Sequence, residues 1–127
     1  MSGVLIDASV WVEHFRSRSK GLVDLLAQDL AMTHPMVLVE LACGTPPAPR
    51  ERTLADIGLL QQTQQATLGE VASLIEREKL YGLGCGLVDL VLLASTLMTP
   101  GAELWTLDQR LAALATRFGV LHQPRAH

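Results

Sequence analysis

The chain has 127 residues, 49% hydrophobic and 18% charged, and ten Lys and Arg against thirteen Asp and Glu leave a net charge of −3. That size and apolar content fit one domain, residues 1–127, with a sizeable core. The acidic balance excludes a passive nucleic-acid binder, which would be basic, so a nucleic-acid partner would require something to offset the acids, and a bound cation is the obvious candidate.

Taken in chain order, the pattern reads as strands alternating with helices. Val4-Leu5-Ile6 is an apolar, β-branched run flanked by Gly3 and predicts a buried strand of a parallel sheet. Residues 10–15 and 21–29 read as helices, the second with Leu22, Leu25, Leu26 and Leu30 at helical spacing. Residues 31–34 predict a second strand, and Pro35 suits the first position of a helix running through residue 43. The Gly- and Pro-rich residues 44–49 stop it. Residues 50–60 predict a helix, 61–67 a weak edge strand, and 68–81 an amphipathic helix with Val71, Leu74 and Ile75 inside. Residues 87–98 are apolar almost all round and predict a central helix. A strand at 103–106, a helix at 109–117 and a last strand at 120–122 complete the chain. The alternation predicts an α/β fold, a helix–sheet–helix sandwich around a parallel sheet.

Residues 80–102 carry one charge, Asp89, yet Gly82, Gly84, Gly86, Pro100 and Gly101 interrupt the run, so no membrane span is expected. No basic region followed by an apolar stretch and a cleavage site opens the chain, so no signal peptide is expected and the location is expected to be cytoplasmic. Cys43 and Cys85 lack C-x-x-C spacing and are expected to be free, buried thiols. His14, His34, His122 and His127 show no paired ligand spacing, which argues against zinc.

Four acids stand apart from the rest. Asp7 ends the first strand; Glu40 is the only charge in Pro-Met-Val-Leu-Val-Glu-Leu-Ala-Cys; Asp89 is the only charge in Gly-Leu-Val-Asp-Leu-Val-Leu-Leu-Ala; Asp108 follows Leu104-Trp105-Thr106-Leu107 at another strand end. The remaining acids lie on mixed or polar surfaces. For Asp7 alone, a helix N-cap is an equal alternative. Burying one unpaired carboxylate costs several kcal/mol, and near these four in sequence only Arg110 is cationic. The economical account is that the four converge on a divalent cation, for which hard oxygen ligands select Mg²⁺ or Mn²⁺ over zinc. Two parallel strands meeting at a topological switch point would bring Asp7 and Asp108 together, with Glu40 and Asp89 leaning over the same edge.

Asp7-Ala8-Ser9, then Val39-Glu40-Leu41 with Gly44, then Asp89 with Ala94, then Thr106-Leu107-Asp108 resemble the PIN-domain ribonucleases, and the length and spacing resemble the VapC toxins of type II toxin–antitoxin modules. The resemblance implies a PIN-like parallel sheet of about five strands flanked by helices. It implies Mg²⁺- or Mn²⁺-dependent cleavage of RNA by Asp7, Glu40, Asp89 and Asp108, leaving a 5′-phosphate and a 3′-hydroxyl. Asp7, Asp89 and Asp108 are the expected metal ligands, and Glu40 either joins them or orients the attacking water. Ser9 and Thr106 would donate hydrogen bonds to carboxylates, the alternatives being a helix cap and a strand hydroxyl. Arg16, Arg18 and Lys20 either contact backbone phosphates or lie in a solvated loop. A VapB-type antitoxin, seated on helices between residues 10 and 29 and between 50 and 60, and a homodimer are the implied partners. Arg110 stands where the family often has a further acid, and Ala8 where it commonly has a hydroxyl. Two readings from other classes are a Mg²⁺-binding receiver-like phosphoacceptor domain and a non-catalytic acidic binding module. The first should show paired acids near strand one and a late strand-end Lys, neither of which is present.

Overall fold

The apolar run that ends at Asp7 is strand β1 (Gly3–Ile6) in the computed structural model, which describes residues 3–124. On one side β1 pairs with β2 (Ala31–Thr33), outside which lies the two-residue β3 (Gln61–Gln62); on the other it pairs with β4 (Ala102–Trp105). All pairings are parallel, with Val4 opposite Ala31 and Ile6 opposite Trp105. Gly3 begins β1 at φ 134°, and a Cβ there would sit 2.5 Å from the Leu30 carbonyl oxygen, so only glycine fits.

Seven helices connect the strands among the described residues: α1 (Ala8–Arg16), α2 (Lys20–Ala27), α3 (Pro35–Ala42), α4 (Arg50–Gly58), α5 (Leu68–Glu78), α6 (Leu87–Leu97) and α7 (Gln109–Arg117). Every side chain of β1 is buried. Successive strand side chains point to opposite faces, so the sheet is covered on both, as a helix–sheet–helix arrangement requires. The helix expected to be central is central: residues 90–96 of α6 are all buried. Its polar members are satisfied, Thr96 Oγ1 donating to the Leu92 carbonyl at 2.8 Å and Ser95 Oγ accepting from the Ala66 N–H at 3.0 Å.

His34 ties α3 to this core. Its Nδ1 accepts the Met36 N–H at 3.0 Å, which caps α3 and leaves the ring proton on Nε2, facing Ser95 Oγ at 3.1 Å. Burial holds the His34 pKa below its ordinary value, favouring this neutral form.

The structure corrects several expectations. The sheet has four strands, not five: the segment expected as a last strand at 120–122 makes one parallel bridge, Leu121 to Leu104. Its two backbone hydrogen bonds are Leu104 N–H to Val120 O at 2.7 Å and His122 N–H to Leu104 O at 2.9 Å. Gly119, left-handed at φ 71°, and Pro124, which has no N–H, bracket it too closely for a longer ladder. The helix expected to reach residue 81 ends at Glu78, because Lys79 turns left-handed at φ 57° and folds Leu80 into the core. Cys43 and Cys85 are free but not buried; Cys43 follows α3 and is exposed, and Cys85 is half-buried in the loop before α6. No described helix is long and apolar enough to cross a membrane. His127 lies outside the described residues.

Candidate active site

The strand order places a topological switch point between β1 and β4: the chain leaves β1 for β2 and β3 on one side and returns to β4 on the other. Open parallel sheets bind ligands at the carboxyl ends of such a strand pair. Asp7 and Thr106 follow those ends directly.

Asp7 is buried and occupies the N-cap position of α1, yet its side chain makes no cap bond. Its Oδ2 instead accepts the Ser9 hydroxyl at 2.6 Å and the Thr106 hydroxyl at 2.8 Å. Each hydroxyl also accepts a backbone N–H from the β4–α7 connection, Leu107 to Ser9 at 3.0 Å and Asp108 to Thr106 at 3.0 Å. One carboxylate oxygen is thus fixed through two side chains that are themselves oriented by backbone. The Asp7 Oδ1 takes no hydrogen bond among the described residues.

Asp108 is the N-cap of α7, its Oδ1 accepting the N–H groups of Arg110 at 2.9 Å and Leu111 at 3.0 Å. Its Oδ2 is left without such a bond among the described residues. Glu40 comes from the last turn of α3 and Asp89 from the first turn of α6. One pocket of about 590 Å³ is lined by Asp7, Ser9, Arg16, Glu40, Asp89 and Asp108. All four singled-out acids therefore border the same space, although they are far apart in sequence.

The acids act on one another. Burial pushes the Glu40 carboxyl above its ordinary pKa, and the Asp7 and Asp89 charges push it further. Asp89 is raised by burial, then by Asp108 and Asp7, against an opposing hydrogen bond from the Gly86 backbone. The expectation that all four acids are buried does not hold. Asp7 alone is buried, Asp89 is half-buried, and Glu40 and Asp108 are exposed. Glu40 lies in the last turn of α3 and Asp108 at the N-cap of α7, and both helix ends line the open cleft rather than the core.

Arg16 lines the cleft, paired with Glu13 at 3.9 Å on the surface. Arg18 and Lys20 do not border it; Arg18 lies near His14, whose pKa it helps lower after burial, and Lys20 opens α2. The sequence reading gave no function to Arg110, which follows Asp108 into α7 and lies along the Gly84 backbone. Its position as the one cation near the four acids in sequence was the available signal.

Among the described residues, no three His, Cys, Asp or Glu side chains stand close enough to close on a single ion. The donor chemistry nevertheless fits a hard divalent cation. Mg²⁺ keeps several of its waters and takes one or two carboxylates rather than a full protein cage. Asp7 Oδ1 and Asp108 Oδ2 are unengaged oxygens of the right kind. Mutual repulsion at Glu40 and Asp89 is what a cation would relieve.

The hydroxyl pair offers a local test. Thr106→Val keeps the shape but removes the donor to Asp7 and the acceptor for the Asp108 N–H. Loss of such an orienting partner lowers activity or metal affinity by about 10–100-fold. A steady-state rate within twofold of wild type at limiting Mn²⁺ would show that Thr106 merely fills space.

A second concavity, about 430 Å³, lies between α1, α2 and α4 and is lined by Trp11, Phe15, Leu26, Ile57 and Leu60 with the His14 ring. Leu26 and Leu60 are only half-buried.

No protein-family model matches the chain. Ribonuclease VapC32 of Mycobacterium tuberculosis, in the strains CDC 1551 / Oshkosh and ATCC 25618 / H37Rv, is 43% identical over 117 residues, covering 92% of this chain and 94% of that protein. Identity of that degree over nearly the whole length, on a parallel α/β fold with its acids gathered at the switch point, means that the chain belongs to the VapC family of PIN-domain ribonucleases.

Proposed function

We propose that the protein is a Mg²⁺- or Mn²⁺-dependent endoribonuclease toxin that hydrolyses RNA phosphodiester bonds and is silenced by a VapB-type antitoxin. The observation that carries this reading is the single cleft bordered by Asp7, Glu40, Asp89 and Asp108, in which two carboxyls are pushed toward protonation partly by their acidic neighbours. An acidic cleft of this kind rejects a polyanion unless a cation occupies it.

Asp7, Asp89 and Asp108 are the proposed metal ligands, one or two of them binding the ion directly and the rest through its waters, with Asp7 pre-set by Ser9 and Thr106. A divalent ion held there would lower the pKa of a bound water and stabilise charge on the phosphate. Glu40, on α3, borders the same cleft and would orient the attacking water. Its raised pKa brings it nearer the working pH of a general base. Arg16, at the rim, contacts an RNA phosphate. The antitoxin is proposed to seat apolar side chains in the groove between α1, α2 and α4. A second copy of the chain is the other proposed partner.

The test is expression in cells, followed by sequencing of RNA 5′ ends. Expression of this chain alone should arrest growth and generate new 5′-phosphate ends at defined RNA positions. Growth arrest without new RNA ends would remove the ribonuclease explanation of toxicity.

A further inference from the structure

The acidic cleft must admit a phosphate chain, and its walls contribute mostly negative charge. Arg16, on the α1 side, is the one basic residue that lines it among the described residues. Asp89 and Asp108 come from α6 and the start of α7, which pack against each other, and Arg110 lies against the loop at residues 82–86 that leads into α6. Gly84 has φ +86°, and a Cβ on it would lie 2.8 Å from Cδ of Arg110 and 2.9 Å from its Nε and Nη1. The side chain of Arg110 thus lies in the space that any other residue at position 84 would fill. Its Nη1 points to the Gly84 carbonyl at a long 3.5 Å. Arg110 makes no ion pair within 4.0 Å among the described residues, although Asp108 is two residues away. The Asp108 side chain is turned to cap the helix instead. Arg110 does not line the cleft itself; it flanks it through Asp108, whose Oδ1 accepts the Arg110 backbone N–H at 2.9 Å.

We propose that Arg110, laid across the side-chain-free backbone of Gly84, is the residue that takes a phosphate of the RNA on the α6–α7 side of the acid cleft. The proposal rests on the ribonuclease reading and adds a substrate contact to it. A guanidinium offers a planar fork of N–H donors matched to phosphate oxygens, and one left unpaired by carboxylates gives up little on engaging a ligand. Glycine at position 84 then serves two ends: it suits the φ of +86°, and its missing Cβ leaves the guanidinium room to lie there. Gly82 supplies the comparison: it has a similar φ of +73°, but nothing lies within 4 Å of an added Cβ.

The experiment measures binding of a short labelled single-stranded RNA by fluorescence anisotropy, with Mg²⁺ present and at several salt concentrations. The Glu40→Gln protein, which keeps the three proposed metal ligands, serves as the non-cleaving background. Adding Arg110→Gln should weaken binding about tenfold and reduce the slope of log affinity against log salt by about 0.7, the value for one phosphate contact to a single strand. Arg110→Lys should keep the slope and lose part of the affinity. Gly84→Ala should weaken binding in the same sense as Arg110→Gln, whereas Gly82→Ala, carrying equal backbone strain, should not. Circular dichroism melts confirm that each variant is folded. Unchanged affinity and slope in Arg110→Gln, in a background that binds RNA, would overturn the proposal and leave the ribonuclease reading standing. A background protein that binds no RNA at any salt concentration would overturn both.

Discussion

Asp7→Asn is expected to lower RNA cleavage by at least about a hundredfold and to abolish growth arrest, while leaving the fold intact. Asp7 is buried, and its Oδ2 receives both the Ser9 and the Thr106 hydroxyl. An amide oxygen can accept the same two bonds, so the variant keeps the local network and the α1 entry angle. What it loses is the negative charge and the unengaged second oxygen, which becomes an NH₂ donor facing the cleft. Removing partners that only orient a metal ligand lowers activity by about 10–100-fold, and losing a ligand itself exceeds that. The measurement is the initial cleavage rate at fixed Mn²⁺, with a circular dichroism melt to confirm folding. A folded variant that retains the wild-type rate would place the chemistry elsewhere.

Asp89→Asn is expected to abolish cleavage and yet stabilise the metal-free protein. Asp89 is half-buried in the first turn of α6, and its carboxyl is raised by burial and by Asp108 and Asp7. The isosteric amide removes one of the mutually repelling charges. Apo stability should rise by about 1 kcal/mol, seen as a Tm increase of about 3–5 °C. The pH dependence gives this a sign. Because the folded-state pKa lies above the unfolded one, the folded wild type holds more protons from pH about 4 upward. Its stability therefore falls as pH rises through that window to the raised value, and the penalty is complete above it. The variant lacks this titration at position 89, so the two melting curves should coincide in acid and separate toward neutral pH. Glu40, raised for the same reasons, contributes a further decline of the same sign to both proteins. Adding Mg²⁺ should reverse the order, since only the wild type has its full ligand set to gain from linked binding. Melting curves in EDTA and in Mg²⁺ across pH decide it. A variant that melts below wild type in EDTA and gains as much from Mg²⁺ would mark Asp89 as a structural acid outside the site.

Much of this architecture is legible in local sequence. Val4-Leu5-Ile6 ending at Asp7 reads as a central parallel strand because nothing polar interrupts it, and the structure buries all of it. The run at 90–96 reads as a core helix because no face is polar, and it is buried on every side. The grouping of four acids follows from their being lone charges in apolar segments. What escaped local reading depends on tertiary placement. Glu40 looks buried in its apolar run, but α3 buries Val37 and Leu41 and leaves Val39 and Glu40 exposed. Val120-Leu121-His122 looks like a strand, but Gly119 and Pro124 leave room for one bridge. Leu80 and Tyr81 continue the apolar pattern of α5, while the left-handed turn at Lys79, which no residue type there announces, ends it. The position of Arg110 depends on the absent side chain of Gly84, 26 residues earlier, and no window of sequence contains that relation.

If hard cations in this acid cleft run the cleavage of RNA, as proposed, chelation followed by selective restoration will control it. Purified protein is incubated with RNA alone, with excess EDTA, and with EDTA overcome by excess Mn²⁺, Mg²⁺ or Zn²⁺. No cleavage is expected in thoroughly chelated samples, with full recovery in Mn²⁺ or Mg²⁺, little in Zn²⁺, and none with any ion for Asp7→Asn. Cleavage that persists at the untreated rate after complete chelation would contradict the metal requirement.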